Sequence, residues 1–143
     1  MTARVAFPHP GLVVLCLATL ACGRAGAPGE SALRASYGEP FDLPLGRRAS
    51  VGGELDVTFA RVAEDSRCPT GADCAEPGNA AAMFAVEGDR GSASLTLHTG
   101  REPRRIAAAG HVLELVELRP APSPGAAPDS ADYEATLIVR RVP

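Results

Sequence analysis

Cys68 and Cys74 are separated by five residues, in a segment that also carries Glu64, Asp65, Asp73 and Glu76. Those residue types could support three chemistries. A thiol redox centre needs a thiolate of low pKa, usually in Cys-x-x-Cys spacing, and the wider spacing here argues against it. A zinc site would have to recruit Cys68, Cys74, His98 and His111. The two histidines fall in separate strand-like segments without paired ligand spacing, so no such site is expected. Four carboxylates around one loop are the hard donors calcium takes, but their spacing matches no EF-hand loop, and a solvated acidic loop is the simpler account. No metal or cofactor is therefore expected. Nor is an enzyme: the chain has no Gly-x-Ser-x-Gly elbow, no His-Glu-x-x-His and no phosphate-cradling glycine loop ahead of a helix. The plain expectation for His98 is a solvent-facing strand position beside Leu97. His111 should open a strand after Gly110.

Cys22 has a different context. Arg4 precedes an apolar run over residues 12–21, long enough for the h-region of an export signal and too short for a membrane span. The run ends in Ala18-Thr19-Leu20-Ala21 before Cys22, which resembles a relaxed bacterial lipobox, with Thr19 where leucine is usual. The resemblance implies a signal peptide over residues 1–21, a diacylglyceryl thioether on Cys22, and attachment to a membrane through that lipid. Gly23 follows the cysteine in place of aspartate, which in this sorting pattern favours the outer membrane, facing the periplasm or the surface. The alternative is ordinary cleavage after Ala21 and a soluble secreted protein. Cys16 leaves with the leader in either case. An even pair, Cys68 and Cys74, then remains in an exported chain and implies a disulfide. So small a loop gives about 2–2.5 kcal/mol in the chain-entropy model.

Residues 22–36 are rich in Gly, Ala, Pro and Ser and read as a flexible tether; residues 37–143 read as one domain. Apolar residues there come in short runs at strand spacing. Phe41 to Leu45 is an edge strand on account of Pro44. Residues 47–53 read as a turn. Leu55, Val57 and Phe59 alternate with polar neighbours, and Val62 breaks the phase, which predicts a bulge near Ala60-Arg61. Phe84 and Val86 share a face, Gly88-Asp89-Arg90-Gly91 signals a hairpin, and Leu95 and Leu97 point inward. A short strand over residues 104–108 precedes one over 111–119, with Leu113 and Leu115 on one face and Val112, Val116 and Leu118 on the other. After a long Pro/Ala/Ser loop, Tyr133, Ala135, Leu137 and Val139 make a last strand. Helical spacing is absent from the mature region. The expected fold is all-β: a small antiparallel β-sandwich or partly open barrel of about six to eight strands, preceded by a signal helix and the tether. With no Trp and few aromatics the core is light.

Net charge is −3 and every basic side chain is Arg. The pairs Arg47-Arg48, Arg104-Arg105 and Arg140-Arg141 are dispersed rather than arrayed, so nucleic acid is not an expected partner.

The run Asp65-Ser66-Arg67-Cys68-Pro69, then Cys74, then Gly78-Asn79-Ala80 entering an apolar strand, resembles a group of small exported bacterial proteins and lipoproteins of unassigned function. Glu76-Pro77 stands where that group usually has a Trp. The resemblance implies a β-rich exported domain and no particular activity. Pro69, Gly71 and the disulfide suit a rigid loop, Asp65 or Ser66 can accept backbone N–H bonds inside it, and Arg67 can reach Asp65 or Asp73. Two roles follow for Asp65, Ser66, Arg67, Asp73 and Glu76: a stapled connection that steadies the domain, or a recognition surface. The expected function is a non-enzymatic, envelope-anchored binding or structural module with an envelope protein as partner. The alternative is inhibition of an exported protease through the stapled loop.

Overall fold

The computed structural model describes residues 31–126 and 128–143. The expected signal peptide, Cys22 and the tether up to residue 30 lie outside the described residues.

The chain forms nine strands among the described residues: β1 (Leu33–Ala35), β2 (Pro40–Pro44), β3 (Arg48–Val51), β4 (Leu55–Asp65), β5 (Ala80–Gly88), β6 (Gly91–His98), β7 (Arg105–Ala108), β8 (His111–Arg119) and β9 (Glu134–Arg141). They build two sheets, one ordered β1-β3-β4-β5-β6 and the other β2-β9-β8-β7. Neither closes on itself, so the fold is an all-β sandwich rather than a barrel. Alternation explains the assembly. Leu55, Val57 and Phe59 from β4, Phe84 and Val86 from β5, Leu113 and Leu115 from β8, and Ala135, Leu137 and Val139 from β9 are all buried between the sheets. Each large aliphatic or aromatic side chain so placed contributes about 1.5–3 kcal/mol. Phe59 and Phe84 stack at the centre with ring centroids 4.9 Å apart.

Two irregularities in β4, between Phe59 and Arg61 and between Val62 and Glu64, set up the loop that follows. The first flips the inward phase from Phe59 to Val62, as the sequence pattern predicts. The second flips it again, so that Asp65, opposite buried Ala80, turns into the end of the sandwich. β8 has one such shift, between Leu115 and Glu117. It ejects Val116 to solvent and carries Leu118 into the core, where strict alternation had placed both on one outer face.

Three further expectations are corrected. Residues 33–35, read as tether, form β1 and pair in parallel with β3, so the sandwich starts before Tyr37 and is not wholly antiparallel. Residues 48–51, read as turn, form β3, with Ala49 and Val51 fully buried. The strands accordingly number nine among the described residues, against an expectation of about six to eight.

Candidate functional site

The cysteine loop leaves β4 at Asp65 and returns at Ala80, at the end of the sandwich where β6 passes to β7 and β8 runs out toward β9. Its base is held by side chains that face inward. Arg67 donates to both carboxylate oxygens of Asp65, from Nε at 2.9 Å and from Nη2 at 2.6 Å. The remaining donors reach across to the other sheet: Nη1 to the Leu118 carbonyl at 2.5 Å and Nη2 to the Pro120 carbonyl at 2.8 Å. The Tyr133 hydroxyl closes the cluster by donating to Asp65 Oδ2 at 2.8 Å. The Asp65 and Arg67 side chains are only 7% and 13% exposed.

These contacts set the proton affinities. Burial alone would raise the Asp65 pKa, but hydrogen bonds from the Arg67 side chain, Tyr133 and the Arg67 backbone, with the guanidinium charge, outweigh it and hold the carboxyl below its ordinary value. The bond to Asp65 raises Arg67 further. Burial first, then the bond to carboxylate, pushes the Tyr133 hydroxyl up to about 12.

Ser66 and Asn79 tie the two loop arms. Ser66 N–H donates to the Asn79 carbonyl at 2.7 Å, and the Ser66 hydroxyl does so at 3.0 Å. The Asn79 side chain donates to Glu64 at 3.2 Å, lies 3.1 Å from His98 Nδ1, and accepts from the Gly100 N–H at 3.1 Å. Gly78 sits at φ +70°, and a Cβ there would overlap the Ser66 carbonyl. Glycine is thus required for both dihedral and space. Ala80 is fully buried. Cys68 and Cys74 are joined, with Cα atoms 6.0 Å apart. Cys68 N–H donates to Pro77 O and Thr70 N–H to Pro122 O.

Asp65, Ser66, Arg67, Cys68, Gly78 and Ala80 of the Asp-Ser-Arg-Cys-Pro…Cys…Gly-x-Ala pattern therefore have defined tasks in the loop base, and Cys74 closes the ring from the tip. No protein-family model, curated protein or solved structure matches this chain. The loop must be judged by its own geometry. Of the residues singled out for recognition, Asp65 and Arg67 are consumed internally, with Arg67 choosing Asp65 rather than Asp73. Ser66 joins the two arms. Asp73 and Glu76 lie on the exposed tip, residues 70–77. The four carboxylates do not converge: Glu64 pairs with Arg101 and Asp65 with Arg67. No group of three His, Cys, Asp or Glu side chains among the described residues could hold a metal ion.

The opposite end carries a feature the sequence reading missed. A cleft of about 260 Å³ is lined by Glu54, Asp89, Arg90, Gly110, His111 and Arg141, among others. Behind it, Tyr37 and His111 lie parallel with centroids 5.3 Å apart, and the Arg141 guanidinium sits 4.3 Å above the Tyr37 ring. Glu54 accepts from Arg141 at 2.8 Å and from the Tyr37 hydroxyl at 3.3 Å. The bond from Arg141, opposed by some desolvation, lowers the Glu54 pKa. His111 is thus a buried packing residue as well as a strand start, with Nδ1 2.8 Å from the Ala109 carbonyl. The available signal was topological: the turns at Gly52-Gly53, Asp89-Arg90 and Ala109-Gly110 all fall at one end of a sandwich, but only once strand order is known.

Proposed function

We propose that the protein is a non-enzymatic binding module of the cell envelope that presents the disulfide-closed tip, residues 70–76, to a protein partner. The observation that carries this reading is the contrast between base and tip. The base is fastened to β8 through Arg67 and to Tyr133, the residue before β9, while Thr70, Gly71, Ala72, Asp73, Cys74, Ala75 and Glu76 are exposed. A loop held in one shape loses little ordering entropy on binding, so its contacts convert efficiently into affinity. Asp73 and Glu76 give the tip a negative character suited to a basic patch.

Export with lipid attachment at Cys22 places the module on a membrane, the outer one by the Gly23 pattern; ordinary secretion is the alternative. Mass spectrometry of the N-terminal peptide checks this: a thioether-linked diacylglycerol on Cys22 supports it, and an intact initiator Met with unmodified Cys22 refutes it. Cross-linked capture from envelope extract tests the tip. Asp73→Arg with Glu76→Arg should abolish capture of the partner while leaving the thermal transition unchanged. An identical captured set from intact and altered protein would reject the tip as the contact surface.

The same rigid, exposed loop favours one narrower reading, inhibition of an exported protease by insertion of the tip into its active site. A panel of serine and cysteine proteases assayed with micromolar protein would show stoichiometric loss of one activity. Full activity across the panel removes this reading and leaves the broader one standing.

A further inference from the structure

An open sandwich has four edge strands, and three of these are blunted. β1 has three residues, β2 begins and ends on proline, and β7 has four residues and opens on Arg105. Short strands, prolines and edge charges are the usual devices against edge-to-edge pairing. β6 has none of them. Its eight residues, Gly-Ser-Ala-Ser-Leu-Thr-Leu-His, contain neither proline nor a Lys, Arg, Asp or Glu side chain, and among the described strands it has a neighbour only on its β5 side.

The register states which backbone groups are open. Thr99 N–H donates to Ala80 O, so Thr99 and every second residue before it turn their backbone polar groups toward β5. Ser92, Ser94, Thr96 and His98 then turn theirs outward. At His98 the N–H is taken by Pro103 O, where the chain crosses to the other sheet. Ser92, Ser94 and Thr96 face the open edge.

We propose that β6 is a homodimerisation edge, pairing antiparallel with β6 of a second copy about a two-fold axis at Ser94. In that register Ser94 faces Ser94, and Ser92 of each copy faces Thr96 of the other. Each facing pair exchanges two backbone hydrogen bonds, which uses every open group from Ser92 to Thr96. The inward residues match as well: Ala93 of one copy meets Leu95 of the other, and Leu97 meets Gly91, so the inward faces of the two sheets continue across the axis. A second copy is the favoured occupant because the edge is complementary to itself. Both faces keep their polarity across the axis, and an uncharged strand meets its own image without repulsion. The two five-stranded sheets become one sheet of ten.

Sedimentation equilibrium of the full chain in density-matched detergent tests this. The mass should rise with concentration from one chain to two, and amide exchange at Ser92, Ser94 and Thr96 should slow in step. Ser94→Lys places two ammonium groups face to face and should weaken association by about tenfold or more; Ser94→Thr should retain it. Thr96→Lys provides a second disruption should Ser94→Lys fail to fold, judged by circular dichroism. A single-chain mass at all concentrations overturns the proposal. So does a dimer insensitive to the folded lysine variants, which would be using another surface.

Discussion

Arg67→Ala is the sharpest probe of the loop base. It removes both side-chain bonds to the Asp65 carboxylate and the donors to the Leu118 and Pro120 carbonyls. The carboxylate, 7% exposed, keeps only the Tyr133 hydroxyl and one backbone N–H. Breaking a buried ion pair from one side costs about 3–5 kcal/mol, because the surviving charge stays desolvated. Two donors remain on Asp65, so the lower figure, about 3 kcal/mol, applies here. Against a typical total of about 5–15 kcal/mol that is a large fraction. At about 4 °C per kcal/mol the melting temperature should fall by about 12 °C. Urea unfolding followed by circular dichroism measures the loss directly. The double variant Asp65→Asn with Arg67→Met removes both charges together and should lose clearly less than Arg67→Ala alone. A loss below about 1 kcal/mol for Arg67→Ala, the range of solvated surface pairs, would refute the view that this cluster is a desolvated clamp.

The same cluster predicts the pH response. Asp65 binds its proton less tightly folded than unfolded, so its contribution is complete above the ordinary carboxylate pKa and fades as pH falls through the lowered value. Acid titration of stability should show wild type and Asp65→Asn converging. Tyr133, raised from 10.0 to about 12, acts at the other limit: its neutral form stabilises below pH 10 and that contribution is lost as pH rises toward 12, which tyrosinate absorbance together with urea unfolding can follow. Replacing Cys68 and Cys74 together by Ser should cost about 2–2.5 kcal/mol in urea unfolding; no loss would mean that the loop base alone holds the loop. Gly78→Ala should cost about 3 kcal/mol or more, since strain at φ +70° adds to overlap with Ser66. Gly71→Ala, at φ +81° in open space, should cost only about 1 kcal/mol; equal losses would contradict the assignment of Gly78 to close approach.

Alternation in β4, β5, β6 and β9 made the sandwich readable, because side chains of period two under a buried face leave few other folds. Phase breaks were read unevenly. The break at Val62 is visible since an apolar residue announces it. The shift at Val116 is not, because Val116 and Leu118 are both apolar and only Leu118 is buried. β1 and β3 were missed for want of length: Arg48–Val51 offers two buried residues, too few to separate a strand from a turn. The loop residues were legible as a group, but not the direction in which Asp65 and Arg67 face. That direction depends on a second irregularity at Val62/Glu64 and on acceptors in Leu118 and Pro120, more than fifty residues away. The cleft at His111 was not legible at all, since its walls come from three turns and the end of β9, which only strand order brings together.

A signature whose residues serve the loop base carries little information about what the loop recognises. Asp65 and Arg67 supply a desolvated charge pair, Ser66 and Asn79 tie the arms, Gly78 permits their close approach, and the cysteines close the ring. Changes at any of them are felt as stability, and their effect on binding is indirect. The side chains of residues 70–73, 75 and 76 have no such duty: they are exposed, and where this stretch is fastened, as at the Thr70 and Ala72 N–H groups, the bonds are made by the backbone. On the proposed binding role, specificity can therefore be rewritten at the tip without disturbing the clamp. It follows that tip variants should separate cleanly from base variants, with binding altered at constant melting temperature for Asp73 and Glu76, and both altered together for Asp65 and Arg67. If Asp73 or Glu76 variants melted as early as Arg67→Ala, tip and base would be a single cooperative unit and the division of labour between them would fail.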